Sequence, residues 1–250
     1  MAGHSHWANI KHKKAKSDAR RGKLWGKCAK AIMVAAKHGL PDPAANLALR
    51  YAVEEAKAAN MPRDTIERAI KKGSGELGAD SYENVRYEGY GPGGVAVIVD
   101  ALTDNRTRTA GEMRLIFGKF GGNLGATGCV GFMFEPKGRV SLEESAADED
   151  RLMGLAIDAG AEDVTLEDGL WTVTTAPGDL IAVKDAIDRA GLKTEGAELT
   201  MIPTTLTEIA GEAVARCVKL VEALEDNDDV QKVYTNLDAS DEALEAAMGG

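Results

Sequence analysis

The chain has 250 residues, 44% apolar and 28% charged, with a formal net charge of −10. That composition is core-forming and excludes wholesale disorder and collagen-like structure. No apolar run approaches the roughly 18 residues of a membrane span, the longest being Ala31 to Ala36 and Val95 to Val99.

The segment after Met1 is polar and basic and lacks the apolar core of a secretory leader, so the expected location is the cytoplasm. Cys28, Cys129 and Cys217 are far apart and odd in number, which suits a reducing compartment and forms no metal knuckle. The charge is divided unevenly. Residues 1–72 hold 16 Lys and Arg against 6 Asp and Glu, whereas the remaining 178 residues hold 14 against 34. A basic segment of this kind can hold a polyanion, and the acidic remainder would repel one or face a basic protein.

Residues 1–17 are basic and rich in His, without an apolar period, and read as an arm. A helix is expected from Ser17 or Asp18 to His38, stopped by Gly39. Leu24, Trp25, Cys28, Ala31, Ile32 and Ala35 form its apolar stripe, and Arg20, Lys23, Lys27, Lys30 and Lys37 fall on a separate face. Asp42 and Pro43 predict the start of a second helix reaching Asn60, and a third runs from Arg63 to Lys72. Together these make a three-helix bundle. The segment from Gly73 to Gly78 reads as a linker where the charge changes sign.

Beyond it strands and helices alternate: Val95 to Leu102 (strand), Arg106 to Lys119 (helix, capped by Asp104 or Asn105) and Gly128 to Glu135 (strand). There follow Arg139 to Leu142, Asp148 to Ala159, Asp163 to Leu166, Leu170 to Thr174, Asp179 to Ala190 and Ala197 to Ile202, in the order β-α-β-β-α-β of a ferredoxin-like unit. Asp168-Gly169 is its hairpin turn. A helix from Glu208 to Leu224 and a strand from Val230 to Tyr234 need the earlier β-α-β as partner. The fold class is therefore α+β: a basic helical domain with its arm (1–78), a split α/β domain (79–135 plus 204–238), an inserted ferredoxin-like domain (136–203) and a frayed acidic tail (239–250).

Catalysis finds little support, and the chain is expected not to be an enzyme or to need a cofactor. All four histidines lie in the first 38 residues, so the acidic domains contain no imidazole base. The run Gly89-Tyr90-Gly91-Pro92-Gly93-Gly94 precedes a strand where a dinucleotide loop must follow one, and reads as a tight turn into Val95. Were Met1 removed, Ala2-Gly3-His4 could bind Cu(II) or Ni(II), but solvated histidines are the simpler account and no metal is expected.

The nucleic-acid signal is stronger. Lys11, Lys13, Lys14 and Lys16 of the arm continue into Arg20, Arg21, Lys23, Lys27 and Lys30 of the helix, with Trp7, His6 and His12 available to stack on bases. Trp25 lies within the apolar stripe and reads as packing.

The blocks Gly3-His4-Ser5-His6-Trp7-Ala8-Asn9-Ile10-Lys11-His12-Lys13-Lys14, Asn60-Met61-Pro62, Tyr87-Glu88-Gly89-Tyr90-Gly91-Pro92-Gly93-Gly94, Asp104-Asn105-Arg106-Thr107-Arg108, Gly121-Gly122-Asn123-Leu124-Gly125 and Met133-Phe134 resemble the YebC family. The resemblance implies a helical N-terminal domain, two α/β domains and a cytoplasmic, non-enzymatic regulator. It implies a DNA-binding transcriptional regulator or, alternatively, a ribosome-associated translation factor that binds rRNA and relieves stalling on proline-rich sequences. Trp25-Gly26-Lys27-Cys28, Leu40-Pro41 and Cys129 depart from the family pattern. The expected partners are DNA or ribosomal RNA through the N-terminal domain and a basic protein for the acidic domains, with no membrane. No base-reading Asn, Gln or Arg marks a recognition helix, which leans towards RNA or sequence-tolerant binding.

Overall fold

The structure is a computed structural model and describes residues 18–75 and 82–249, with side chains from 22 and up to 248. The fold is α+β, and its described residues gather into two compact units, one built from 82–135 with 202–249 and the other from 18–75 with 136–201.

In the second unit, helices α1 (Asp18–Lys37), α2 (Leu47–Ala58) and α3 (Arg63–Gly73) form a three-helix bundle. Its core is small: Cys28, Ile32 and Ala36 of α1 meet Leu49, Ala52, Val53 and Ala56 of α2 and Ile66 and Ala69 of α3. Small residues let the helix axes approach. At Gly73 a Cβ would lie 2.4 Å from the Met33 carbonyl oxygen, so only glycine fits where α3 crosses α1. The apolar stripe expected on α1 is shifted, because Leu24 is exposed while Val34 and Ala36 are buried. The second helix also starts later than the Asp42-Pro43 signal predicts. Residues 42–45 close a turn, and Asn46 caps α2 by accepting from the Leu49 amide while its own amide donates to the carbonyls of Ala35 and Leu40. One side chain thereby fixes the α1–α2 connection.

The remainder of that unit is a sheet in the order β5-β6-β4-β7, formed by β4 (Phe134–Glu143), β5 (Ala161–Glu167), β6 (Leu170–Thr175) and β7 (Gly196–Pro203). Helices α5 (Glu149–Asp158) and α6 (Leu180–Arg189) complete a β-α-β-β-α-β order. Asp168 and Gly169 both have positive φ, the conformation of the two-residue hairpin turn expected there. The bundle docks on this layer through α2. Arg50 pairs with Asp185 at 2.7 Å, the Tyr51 hydroxyl donates to the Pro177 carbonyl at 2.9 Å, and Lys184 lies 3.3 Å from Glu54. The Tyr51 ring packs against the apolar core under α5 and α6.

The first unit holds a sheet ordered β3-β1-β2-β9, from β1 (Glu83–Tyr90), β2 (Ala96–Thr103), β3 (Asn123–Leu124) and β9 (Val230–Thr235). Strands β1 and β2 form an antiparallel hairpin closed by the turn Pro92–Gly94, so the glycine-rich run is a turn into Val95, as its position before a strand dictates. Helices α4 (Arg106–Lys119) and α7 (Glu212–Glu225) cover one face; Phe117 lies over Gly89, and Leu220 and Cys217 over Gly91. Short strands β8 (Thr207–Glu208) and β10 (Leu237–Asp238) pair in parallel.

Further elements differ from the sequence expectation: the helix expected from Glu208 begins at Glu212, because residues 207–208 pair as β8. Strand β1 is unforeseen, because buried Glu88 and Gly89 interrupt its alternation. The strand expected over 128–135 is replaced by a turn and a short 3-10 segment, Gly131–Met133, and β4 starts at Phe134. The C-terminal stretch is helix α8 (Asp241–Gly249), anchored by buried Leu244, not a frayed tail.

Candidate nucleic-acid interface

Of the residues singled out for nucleic-acid binding, Trp7, Lys11, His12, Lys13, Lys14 and Lys16 lie outside the described residues. Arg20 and Arg21 lie in the first turn of α1, within the helix but without described side chains. Lys23 is exposed, and Lys27 and Lys30 are half-buried further along the same helix. From Arg20 to Lys30 the helix rises about 15 Å, which spans about four base pairs of a duplex at roughly 3.4 Å of axial rise each. Apart from Asp18 at its start, α1 contains no acidic residue. Trp25 is excluded as a stacking platform of free orientation, because its indole N–H donates to the Ala59 carbonyl at 3.0 Å and its ring packs on the bundle core.

The glycine and polar blocks of the first unit serve the fold. Glu88, 4% exposed, accepts from the backbone amides of Gly128, Val130 and Gly131 at 2.9, 2.9 and 2.7 Å. Burial pushes its carboxyl up, but the three amides outweigh that and hold it below the ordinary carboxylate range. This latch fixes the loop that presents Phe132, 78% exposed, at its surface.

The Asp104-to-Arg108 block is likewise structural. Asn105 caps α4, and Arg108 bridges Asp104 at 2.9 Å and buried Asp229 at 2.5 Å. Asp229 also accepts from the hydroxyls of Thr103 and Thr109, at 3.1 and 2.9 Å, so the start of α4 is tied to the turn before β9. Sequence spacing could not reveal this network, because Asp229 lies more than 100 residues along the chain from the groups it joins.

Among the described residues no group of three or more His, Cys, Asp or Glu could hold a metal ion, and no helix is long and apolar enough to cross a membrane. Burial raises the Cys217 thiol to about 12, so this cysteine is a packing residue.

Family models match nearly the whole chain. The TACO1/YebC protein N-terminal domain matches residues 5–76, and the TACO1/YebC second and third domain matches residues 82–237. A protein from Syntrophotalea carbinolica, named "Probable transcriptional regulatory protein", is 53% identical over 249 residues, covering all of both chains. One of the same name from Persephonella marina is 54% identical over 98% of this chain and 99% of its own. The crystal structure of a conserved hypothetical protein from Aquifex aeolicus superposes with a TM-score of 0.86 at 48% identity, covering 96% of this chain and 99% of that one.

Proposed function

The chain belongs to the TACO1/YebC family, and from that membership and its charge division we propose that it is a nucleic-acid-binding regulator of gene expression, a DNA-binding transcriptional regulator. The observation that carries the reading is the segregation of charge by fold element. The bundle and its arm are basic, with Arg20, Arg21, Lys23, Lys27 and Lys30 following one another along α1, while the rest of the chain is acidic. The relatives' printed name supports regulation of transcription. Cations on a helix contact phosphates and set orientation without reading sequence, so this element would supply affinity and salt dependence. In this reading the protein is cytoplasmic and performs no catalysis, and its acidic part faces a basic protein partner.

The test is binding of the full chain to labelled duplex DNA across a salt series, for the parent and for Lys23→Ala/Lys27→Ala/Lys30→Ala. Each lost phosphate contact should reduce the log-log slope by about 0.7 to 0.9. An unchanged slope removes α1 from the binding surface. Recovery of crosslinked nucleic acid from cells separates DNA from RNA: strong ribosomal RNA enrichment without promoter DNA would overturn the transcription reading in favour of a translation factor.

A further inference from the structure

The sheet of the 136–201 layer ends on one side at β5, which pairs with β6 and with no other strand among the described residues. The Asp168-Gly169 turn sets Glu167 opposite Leu170, with Thr165 opposite Thr172 and Asp163 opposite Thr174, so these residues direct their amides and carbonyls into the hairpin. Val164 and Leu166, at the intervening positions, direct theirs outward. The Val164 amide donates to the Asp163 carboxylate at 2.9 Å. The Leu166 amide and carbonyl and the Val164 carbonyl thus face an edge with no neighbouring strand. A bulge between Ala161 and Asp163 confines the open stretch to the half of β5 nearer the turn.

An apolar lip runs beside this edge. Leu152 and Ala156 of α5 point into the core, and Arg151, whose guanidinium donates to the Ala190 carbonyl, marks the flank of α5 turned to α6. Met153 and Ile157, at i and i+4, fall on the other flank, towards β5, and are 41% and 48% exposed. Leu166 lies opposite Trp171 on the helix-covered side of the sheet and is 39% exposed, because no strand lies outside it. The surroundings are acidic. Residues 143–168 contain ten Asp and Glu and one basic residue, Arg151. Asp163 and Glu167 project on the sheet face away from the helices, and the nearby Lys137 is paired with Glu162 at 2.8 Å.

We propose that the β5 edge receives an extended segment of a basic protein as an added strand. The segment's backbone pairs with Leu166 and Val164. Its alternate side chains are apolar towards Met153, Ile157 and Leu166, and Lys or Arg towards Asp163 and Glu167. This rests on the reading above that the acidic part faces a basic protein, and it gives that partner a place and a form. A second copy of this chain fits less well, because two antiparallel β5 edges would bring their Asp163 and Glu167 carboxylates together. Nucleic acid is repelled by the same charges. A basic amphipathic helix would cover the lip but leave the outward backbone groups of the edge unpaired.

The experiment titrates the full chain with a short labelled peptide alternating valine and lysine, followed by anisotropy, with hydrogen exchange read at the Leu166 amide. Two isomers of the peptide are N-methylated, one at every valine and one at every lysine, and a serine–lysine peptide carries the same charge. A strand pairs through one edge, so one isomer should lose binding by about tenfold or more while the other keeps it. Met153→Ser/Ile157→Ser, which replaces exposed side chains and should leave Tm unchanged, should weaken binding by a similar factor, and Leu166 exchange should slow when the parent is bound. If the serine–lysine peptide binds as tightly, or both isomers bind like the unmethylated peptide, the contact is charge alone: the edge proposal fails and a basic partner elsewhere on the acidic part stands. If no lysine peptide binds, the reading of a basic partner falls with it. Binding that keeps the isomer difference but ignores Met153→Ser/Ile157→Ser and leaves Leu166 exchange unaltered lies at another edge and overturns the assignment. A dimer in sedimentation that Met153→Ser/Ile157→Ser dissolves would give the edge to a second copy, and the proposal would fail.

Discussion

Replacing Glu88 tests whether one buried carboxylate organises the loop that carries Phe132. In the parent, one carboxylate oxygen accepts from Gly128 and the other from both Val130 and Gly131, in a site almost closed to water. Hydrogen bonds to a charged group contribute about 1.5 to 3 kcal/mol each, and a stranded buried amide costs about 1 to 3. Glu88→Gln can keep its carbonyl oxygen on Val130 and Gly131 but must turn its amide towards the Gly128 N–H, losing one bond and the charge. The expected loss is about 2 to 3 kcal/mol at pH 7, against about 4 for Glu88→Ala, where Gly128, Val130 and Gly131 all lose their acceptor. The folded-state pKa is below the unfolded value, so the carboxylate's contribution is complete above the ordinary carboxylate range and disappears as pH falls through the folded pKa. Urea denaturation from pH 7 downwards should therefore show the gap between parent and Glu88→Gln closing with acid. Hydrogen exchange at residues 128, 130 and 131 should accelerate in the variant. A gap below about 0.5 kcal/mol at pH 7, or one that does not narrow with acid, would refute the latch.

The docking of the bundle onto the 136–201 layer divides into an ionic and a neutral part. Arg50 and Asp185 are 38% and 45% exposed, so a double-mutant cycle should give a coupling of only about 0.2 to 1 kcal/mol that shrinks with salt. Tyr51→Phe, which loses the bond to the Pro177 carbonyl, should cost about 1 kcal/mol whatever the ionic strength; a salt-independent Arg50–Asp185 coupling would contradict this division. Thiol labelling offers an independent check of burial. With a thiol alkylator on the native protein at pH 8, half-buried Cys129 should react first though slowly, since burial and the Glu88 charge raise its pKa, and Cys217 only after unfolding. Comparable native rates for the two would show the α7 core to be open.

The parts of the fold legible in the sequence are those set by local chemistry. Helix α1 follows from its run of lysines and alanines, and the β-α-β-β-α-β order follows from alternating periods and the Asp168-Gly169 turn, whose positive φ values suit those residues. What escaped depends on contacts between distant residues. Strand β1 carries a buried charge that is tolerable only because amides 40 or more residues later satisfy it. Helix α2 is capped by Asn46, not Asp42, because Asn46 also reaches the carbonyls of Ala35 in α1 and of Leu40 in the connection. On the candidate interface, the order of cations along α1 was readable because it lies on one helix.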